Sequence, residues 1–115
     1  MDTRNKIIDA THAARIAQDG ATVISGYFDP LIASHAERLA SLKRDGTPLL
    51  VLVATPPAAI LPASARAQLV AGLAVVDYVC DNPGGLSPQL SLEAEHTELL
   101  EQLIRHVHAR QRATS

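Results

Sequence analysis

Leu49-Leu50-Val51-Leu52-Val53-Ala54 is an unbroken apolar run, with Pro48 before it and Thr55-Pro56-Pro57 after it. A strand with one wet face shows apolar residues at every second position, whereas a strand that is apolar throughout is covered on both faces. Such strands belong to parallel sheets, and parallel neighbours need a crossover segment between them, usually a helix. This run therefore points to an α/β architecture, and the rest of the chain fits it. Residues 3–18 read as an amphipathic helix, with Ile7, Ala10, Ala14 and Ala17 near one face and Gly20 as a C-terminal stop. Residues 21–25 read as the first strand. Ser34 to Asp45 reads as the second helix, with Ala36, Leu39, Ala40 and Leu42 apolar and Gly46 ending it. Pro62 stands where a first helical residue would, and that helix reaches about Ala74. Val75 to Cys80 reads as a third strand, and Asn82 to Pro88 as a loop around Pro83-Gly84-Gly85. The last helix spans roughly Leu92 to Arg110. Its stripe is Leu100, Leu103, Ile104 and Val107, and Glu101 precedes Arg105 at the favourable i, i+4 spacing.

The order α-β-α-β-α-β-α predicts a short parallel sheet with right-handed crossovers, a Rossmann-like three-layer α/β/α fold. At 115 residues the chain suits a single domain, 1–115. Aromatic residues make up only 3% of it, so the core must be built from Ala, Val, Leu and Ile. Three strands leave two open sheet edges. Either the last helix or a second copy of the chain covers them, and the expectation drawn from this is a homodimer.

Net charge is −2, which gives no basic field for nucleic acid, and stacking aromatics are scarce. The polar stretch Met1 to Lys6 and the absence of a following apolar segment predict no signal peptide. No apolar run approaches the length of a membrane span. Cys80 is the single cysteine, which excludes a disulfide within the chain and predicts a reducing, cytoplasmic setting.

The segment Ser25-Gly26-Tyr27-Phe28-Asp29-Pro30-Leu31-Ile32-Ala33-Ser34-His35 joins the first strand to the second helix. A glycine-containing turn at that junction is where α/β proteins place phosphate groups. Gly26 to Leu31 with Ser34-His35 resembles the G-x-F-D-x-x-H-x-G-H motif of the cytidylyltransferase-like nucleotidyltransferases. It is similar above all to the heptose-phosphate adenylyltransferases and glycerol-phosphate cytidylyltransferases. A second stretch, Ile60-Leu61-Pro62 with Arg66, Leu69 and Val70 and then Val76-Asp77-Tyr78-Val79, resembles that family's I-L-P-x-x-x-R…V-D-Y-V segment. Together these matches cover about residues 8 to 81. The resemblance implies a nucleotidyltransferase-type fold. It also implies nucleotide or phosphate binding by Gly26, Tyr27, Phe28, Asp29, Ser34 and Arg66, with His35 as the remaining catalytic histidine. Magnesium with CTP or ATP would be the cofactor of an active member, acting on a sugar phosphate or polyol phosphate.

The departures from that pattern argue against efficient catalysis. Ile32 stands at the first histidine position and cannot donate a hydrogen bond to a phosphate. Ser34 stands at the motif glycine. Thr55-Pro56-Pro57-Ala58-Ala59 replaces a longer, lysine-bearing loop, and the family's later phosphate-binding segment has no counterpart. Loss of a single preorganised donor to developing charge lowers a rate by ~10²–10³.

Several of these residues also have plain structural readings. Ser34-x-x-Glu37 fits a capping box with Ser34 as N-cap, against a ligand contact. His35 is then a polar first-turn residue, against a retained phosphate contact. Asp29 before Pro30 is a turn starter. Arg66 binds an anion near Gly26 or pairs with an acidic residue across a subunit interface. His96, His106 and His108 lack acidic or cysteine partners at ligand spacing, so no metal site is expected. Cys80 in its apolar strand reads as buried and inert. The leading expectation is a degenerate family member that keeps weak nucleotide or phosphate affinity as an interaction or regulatory module. The alternatives are an active minimal nucleotidyltransferase and a purely structural dimer.

Overall fold

The computed structural model describes residues 3–114, with side chains described for residues 5–105. The described residues form four α-helices and a four-stranded, all-parallel sheet. The strands are β1 (Thr22–Gly26), β2 (Leu49–Val53), β3 (Tyr78–Cys80) and β4 (Leu90–Ser91). The helices are α1 (Ala10–Gln18), α2 (Ala33–Leu42), α3 (Ala63–Ala71) and α4 (Glu93–Thr114). Sheet order is β3-β2-β1-β4, so the fold is α/β and Rossmann-like.

The apolar run at β2 is explained by two cores. Leu49, Val51 and Val53 face one side with Ile24, Leu39, Ala67 and Val70. Leu50 and Leu52 face the other with Ala13, Val23 and Cys80. Every residue of β2 is buried, which requires cover on both faces. Cys80 lies in the second core, where burial pushes its thiol pKa up.

The first helix is shorter than its periodicity predicts. It starts at Ala10, where Asp9 accepts a hydrogen bond from the His12 N–H at 2.8 Å as N-cap. Thr3–Lys6 form a 3-10 turn, and Ile7 pairs in parallel with Val79. A capping aspartate thus splits one amphipathic stretch into two pieces. The second helix likewise stops at Leu42, before the expected Asp45, because Lys43 is extended and its ammonium bonds Thr47 O and the Asp77 carboxylate. Asp77 also accepts the Leu49 N–H at 2.8 Å, tying the start of β2 to the segment that enters β3.

β4 is a strand where the sequence pattern predicts only the approach to the last helix. It pairs with β1 through Ile24↔Leu90 and Ser25↔Ser91, continued by Gln89 N–H to Val23 O and Leu92 N–H to Ser25 O. Ile8 N–H donates to Val79 O on the opposite edge. Both edges of the three expected strands are therefore met by short segments of the same chain. The sheet thereby gains β4 as its outer strand on the β1 side. Among the described residues, no helix is long and apolar enough to cross a membrane.

The β4–α4 junction turns on Leu92, which is fully buried. Leu92→Ala is expected to lower stability by about 2–5 kcal/mol in urea unfolding, the range for a well-packed buried leucine. A loss below about 1 kcal/mol would show that this junction is not packed as described.

Candidate functional site

The turn after β1 is closed by a histidine from the other end of the chain. β4 lies beside β1, and α4 therefore starts next to the carboxyl end of β1. The Glu93 carboxylate accepts the Ser25 hydroxyl at 2.9 and 3.0 Å and also bonds Ser91, which fixes this start. His96, in the first turn of α4, is thereby carried onto Gly26. Phe28 has φ 49°, in the left-handed region, while its ring is fully buried. The N–H groups of Tyr27 and Phe28 both donate to His96 Nδ1, at 3.0 and 3.3 Å. Two successive N–H groups converging on one point form an anion-binding nest. Here the acceptor at that point is an imidazole nitrogen.

Gly26 is needed for this arrangement. A Cβ at position 26 would lie 2.9 Å from His96 Nδ1 and 2.8 Å from Phe28 Cε2, closer than Cβ atoms normally approach. Gly26, expected to let a phosphate approach, is the seat of the His96 ring.

His35 stacks on His96, with ring centroids 3.9 Å apart and planes inclined by 35°. Phe28 meets both rings edge-on, at 5.9 and 4.6 Å. His35 is 4% exposed and His96 6%. His35 Nδ1 accepts the Ile32 N–H at 3.3 Å. This corrects the expected capping box. Ile32, not Ser34, is the N-cap of α2, and His35 plays the part that Glu or Gln normally has at N3. Ser34 falls inside the first turn, half-buried and outside the cavity wall.

Both Nδ1 atoms are acceptors, so each neutral ring carries its proton on Nε2. Burial pushes the pKa of His35 down. Burial, and then the adjacent His35, pushes that of His96 down to about 3. The pair is therefore neutral near pH 7. Among the described residues, neither Nε2 has a hydrogen-bond partner, and both atoms are buried.

The remaining motif residues tie down backbone. The Asp29 carboxylate accepts the N–H groups of Ile60 and Leu61, at 2.6 and 2.7 Å, which agrees with its structural reading. The Asp29–Pro30 bond is cis. Arg66 is 1% exposed and donates to Leu61 O, Tyr27 O, Ala54 O and Thr55 Oγ1. Its donors meet protein oxygens, with no carboxylate among those partners. Together Asp29 and Arg66 clamp the loop before α3 to the turn after β1.

Beside the histidines lies a cavity of about 330 Å³. Its wall combines Tyr27, Ile32, Pro56, Ile60, Leu100 and Ile104 with the two imidazoles. Among the described residues, no lysine or arginine lines it, and the carboxylates that do are those of Asp29 and Glu101. It opens at the carboxyl end of β1, where successive connections leave toward β2 on one side and arrive from β3 at β4 on the other. That reversal is the position at which open α/β sheets take ligands.

Of the residues expected to form a site, Gly26, Tyr27, Phe28, Asp29 and His35 are gathered here. Arg66 is engaged beneath the turn, and Ser34 is left aside. His96 was considered in the sequence only as a metal candidate. Among the described residues no group of three or more His, Cys, Asp or Glu could hold a metal ion, and the side chains of His106 and His108 lie outside the described residues. Nothing local marks His96, because its partners lie some seventy residues away. No family model matches the chain, and no curated protein matches it.

The neutral pair has a pH signature. In the unfolded chain His96 takes up a proton near pH 6.5, while folded it does so only near about 3. Between these values the unfolded state binds more protons, so stability is complete above about pH 6.5 and is lost as pH falls toward 3. His96→Asn keeps an acceptor for the Tyr27 and Phe28 N–H groups but cannot titrate. Urea unfolding of this variant should lose stability between pH 6 and pH 4 less steeply than wild type, by up to about 1.4 kcal/mol per pH unit. Identical slopes would place the charge sensitivity elsewhere.

Proposed function

We propose that this protein is a non-catalytic relative of the cytidylyltransferase-like nucleotidyltransferases, serving as a small-molecule-binding or regulatory module. One observation carries this reading: His96 Nδ1 takes the two turn N–H groups that a nucleotide phosphate would need. Three further features support it. Ile32 removes one phosphate donor from the start of α2. Arg66 is committed to carbonyl oxygens. Among the described residues, the cavity wall carries no cationic side chain to meet a triphosphate.

A second reading, an active minimal nucleotidyltransferase using magnesium and CTP or ATP, draws on a different feature of the same site. His96 gives His35 the imidazole neighbour that Ile32 denies it, 3.9 Å away. The first reading is preferred because that neighbour is neutral and its Nδ1 is already occupied.

The two readings separate in one assay. With CTP or ATP, magnesium and glycerol phosphate or a heptose phosphate, pyrophosphate release should not exceed the protein-free control. Calorimetric titration should give nucleotide affinity no tighter than about 1 mM. Sustained release that His35→Ala abolishes would overturn the non-catalytic reading.

A further inference from the structure

We propose that the cavity beside His35 and His96 binds an uncharged, largely apolar molecule through a carbonyl-type oxygen, which the two Nε2–H groups hold together. The inference rests on the non-catalytic reading of this site and adds the chemistry of its ligand.

Two independent observations lead to it. The first is the cavity itself, about 330 Å³ and walled mainly by Ile32, Pro56, Pro57, Ile60, Leu100 and Ile104. Cavities of this size and character take small molecules whose bodies are apolar and whose orientation is fixed by a few polar groups. Two of its apolar side chains, Ile60 at 64% and Ile104 at 46% exposed, stand open at the rim. The second is the pair of unpartnered Nε2 atoms on wall residues that are 96% and 94% buried. The large majority of buried polar atoms in native proteins have partners, and these two orphans sit on adjacent rings with centroids 3.9 Å apart, so one acceptor is assigned to both.

The tautomers decide what that partner is. Each Nδ1 lone pair already accepts a backbone N–H, from Ile32 for His35 and from Tyr27 and Phe28 for His96. Each Nε2 is thus a donor with no lone pair to offer. A metal ion cannot be held there, and neither can a donor such as an ammonium group. An acceptor oxygen with two lone pairs can receive both N–H groups at once.

Charge selects among acceptors. The rings are neutral, and among the described residues no Lys or Arg lines the wall, which instead carries the carboxylates of Asp29 and Glu101. A phosphate or carboxylate would enter without a counter-charge and beside like charge. A carbonyl oxygen has no such penalty. Neither Nε2 is accessible to solvent, so an entering carbonyl shifts wall side chains to reach them.

Hexanamide, hexanoate, hexylamine and inorganic phosphate are suitable probes with the full-length protein near pH 7. The readouts are calorimetry and the side-chain ¹⁵N–¹H signals of His35 and His96. Hexanamide should bind saturably and move the Nε2–H signals of both rings, while hexanoate, hexylamine and phosphate bind at least about tenfold more weakly. His96→Asn, which keeps the Nδ1-side acceptor, should weaken hexanamide binding by about tenfold or more. Ile60→Trp at the exposed rim should narrow the mouth and weaken it without touching either histidine. Unmoved Nε2–H signals, equal binding of all three hexyl probes, or tighter binding of hexanoate or phosphate would each overturn the inference. Those failures leave the non-catalytic reading intact, since it falls only on pyrophosphate release.

Discussion

The site depends on one contact, the acceptance of the Tyr27 and Phe28 N–H groups by His96 Nδ1. Each buried N–H left without a partner costs about 1–3 kcal/mol, so this contact decides whether the turn after β1 is closed or open. It requires β4, which brings α4 to the end of β1, and it requires glycine at 26, where a Cβ would collide with the ring. It also fixes the protonation of the imidazole. With Nδ1 as acceptor the proton must sit on Nε2, where burial keeps the ring neutral. The same hydrogen bonds therefore close the nest of turn N–H groups and leave a donor on the far side of the ring that has no partner among the described residues.

A division of labour runs through the motif residues. Asp29, Arg66 and Asp77 belong to the stretches that resemble nucleotidyltransferases, and each of them saturates backbone groups. Asp29 holds the Ile60 and Leu61 N–H groups, Arg66 holds the carbonyls of Leu61, Tyr27 and Ala54, and Asp77 holds the Leu49 N–H. Charged side chains so placed build the scaffold, and Asp29 and Arg66 do it from almost complete burial. On the proposed reading, the positions that would touch a nucleotide are the ones that depart from the motif, Ile32 and Ser34 among them. On the reading proposed above, the frame of a phosphate site is kept while its cavity is apolar.

The architecture was legible because its signals are local. The apolar run 49–54 requires burial on both faces, and the helices between strands follow from their 3.6-residue periodicity. Errors fell where a tertiary contact overrode a local pattern. Asp9 caps α1 and frees Ile7 to pair with Val79, although both fit one amphipathic stretch. β4 is two residues long and carries no alternation to detect. Ser34-x-x-Glu37 has the spacing of a capping box, yet His35 bonds back to Ile32 and moves the cap two residues earlier. His35 and the Gly26–Asp29 turn were visible as a site from the motif. His96 was not, since its role arises from β4 pairing and from contacts separated by 68 and 69 residues.

The central claim concerns where two protons sit, and side-chain ¹⁵N NMR of the uniformly labelled protein reads this directly. At pH 7.5, His35 and His96 should each show one bare nitrogen at Nδ1 and one protonated nitrogen at Nε2, and His96 should keep that pattern as pH is lowered through 6 toward 4. An imidazolium signal for His96 at pH 6, or a proton on its Nδ1, would contradict the account, because the ring could then not accept the Tyr27 and Phe28 N–H groups.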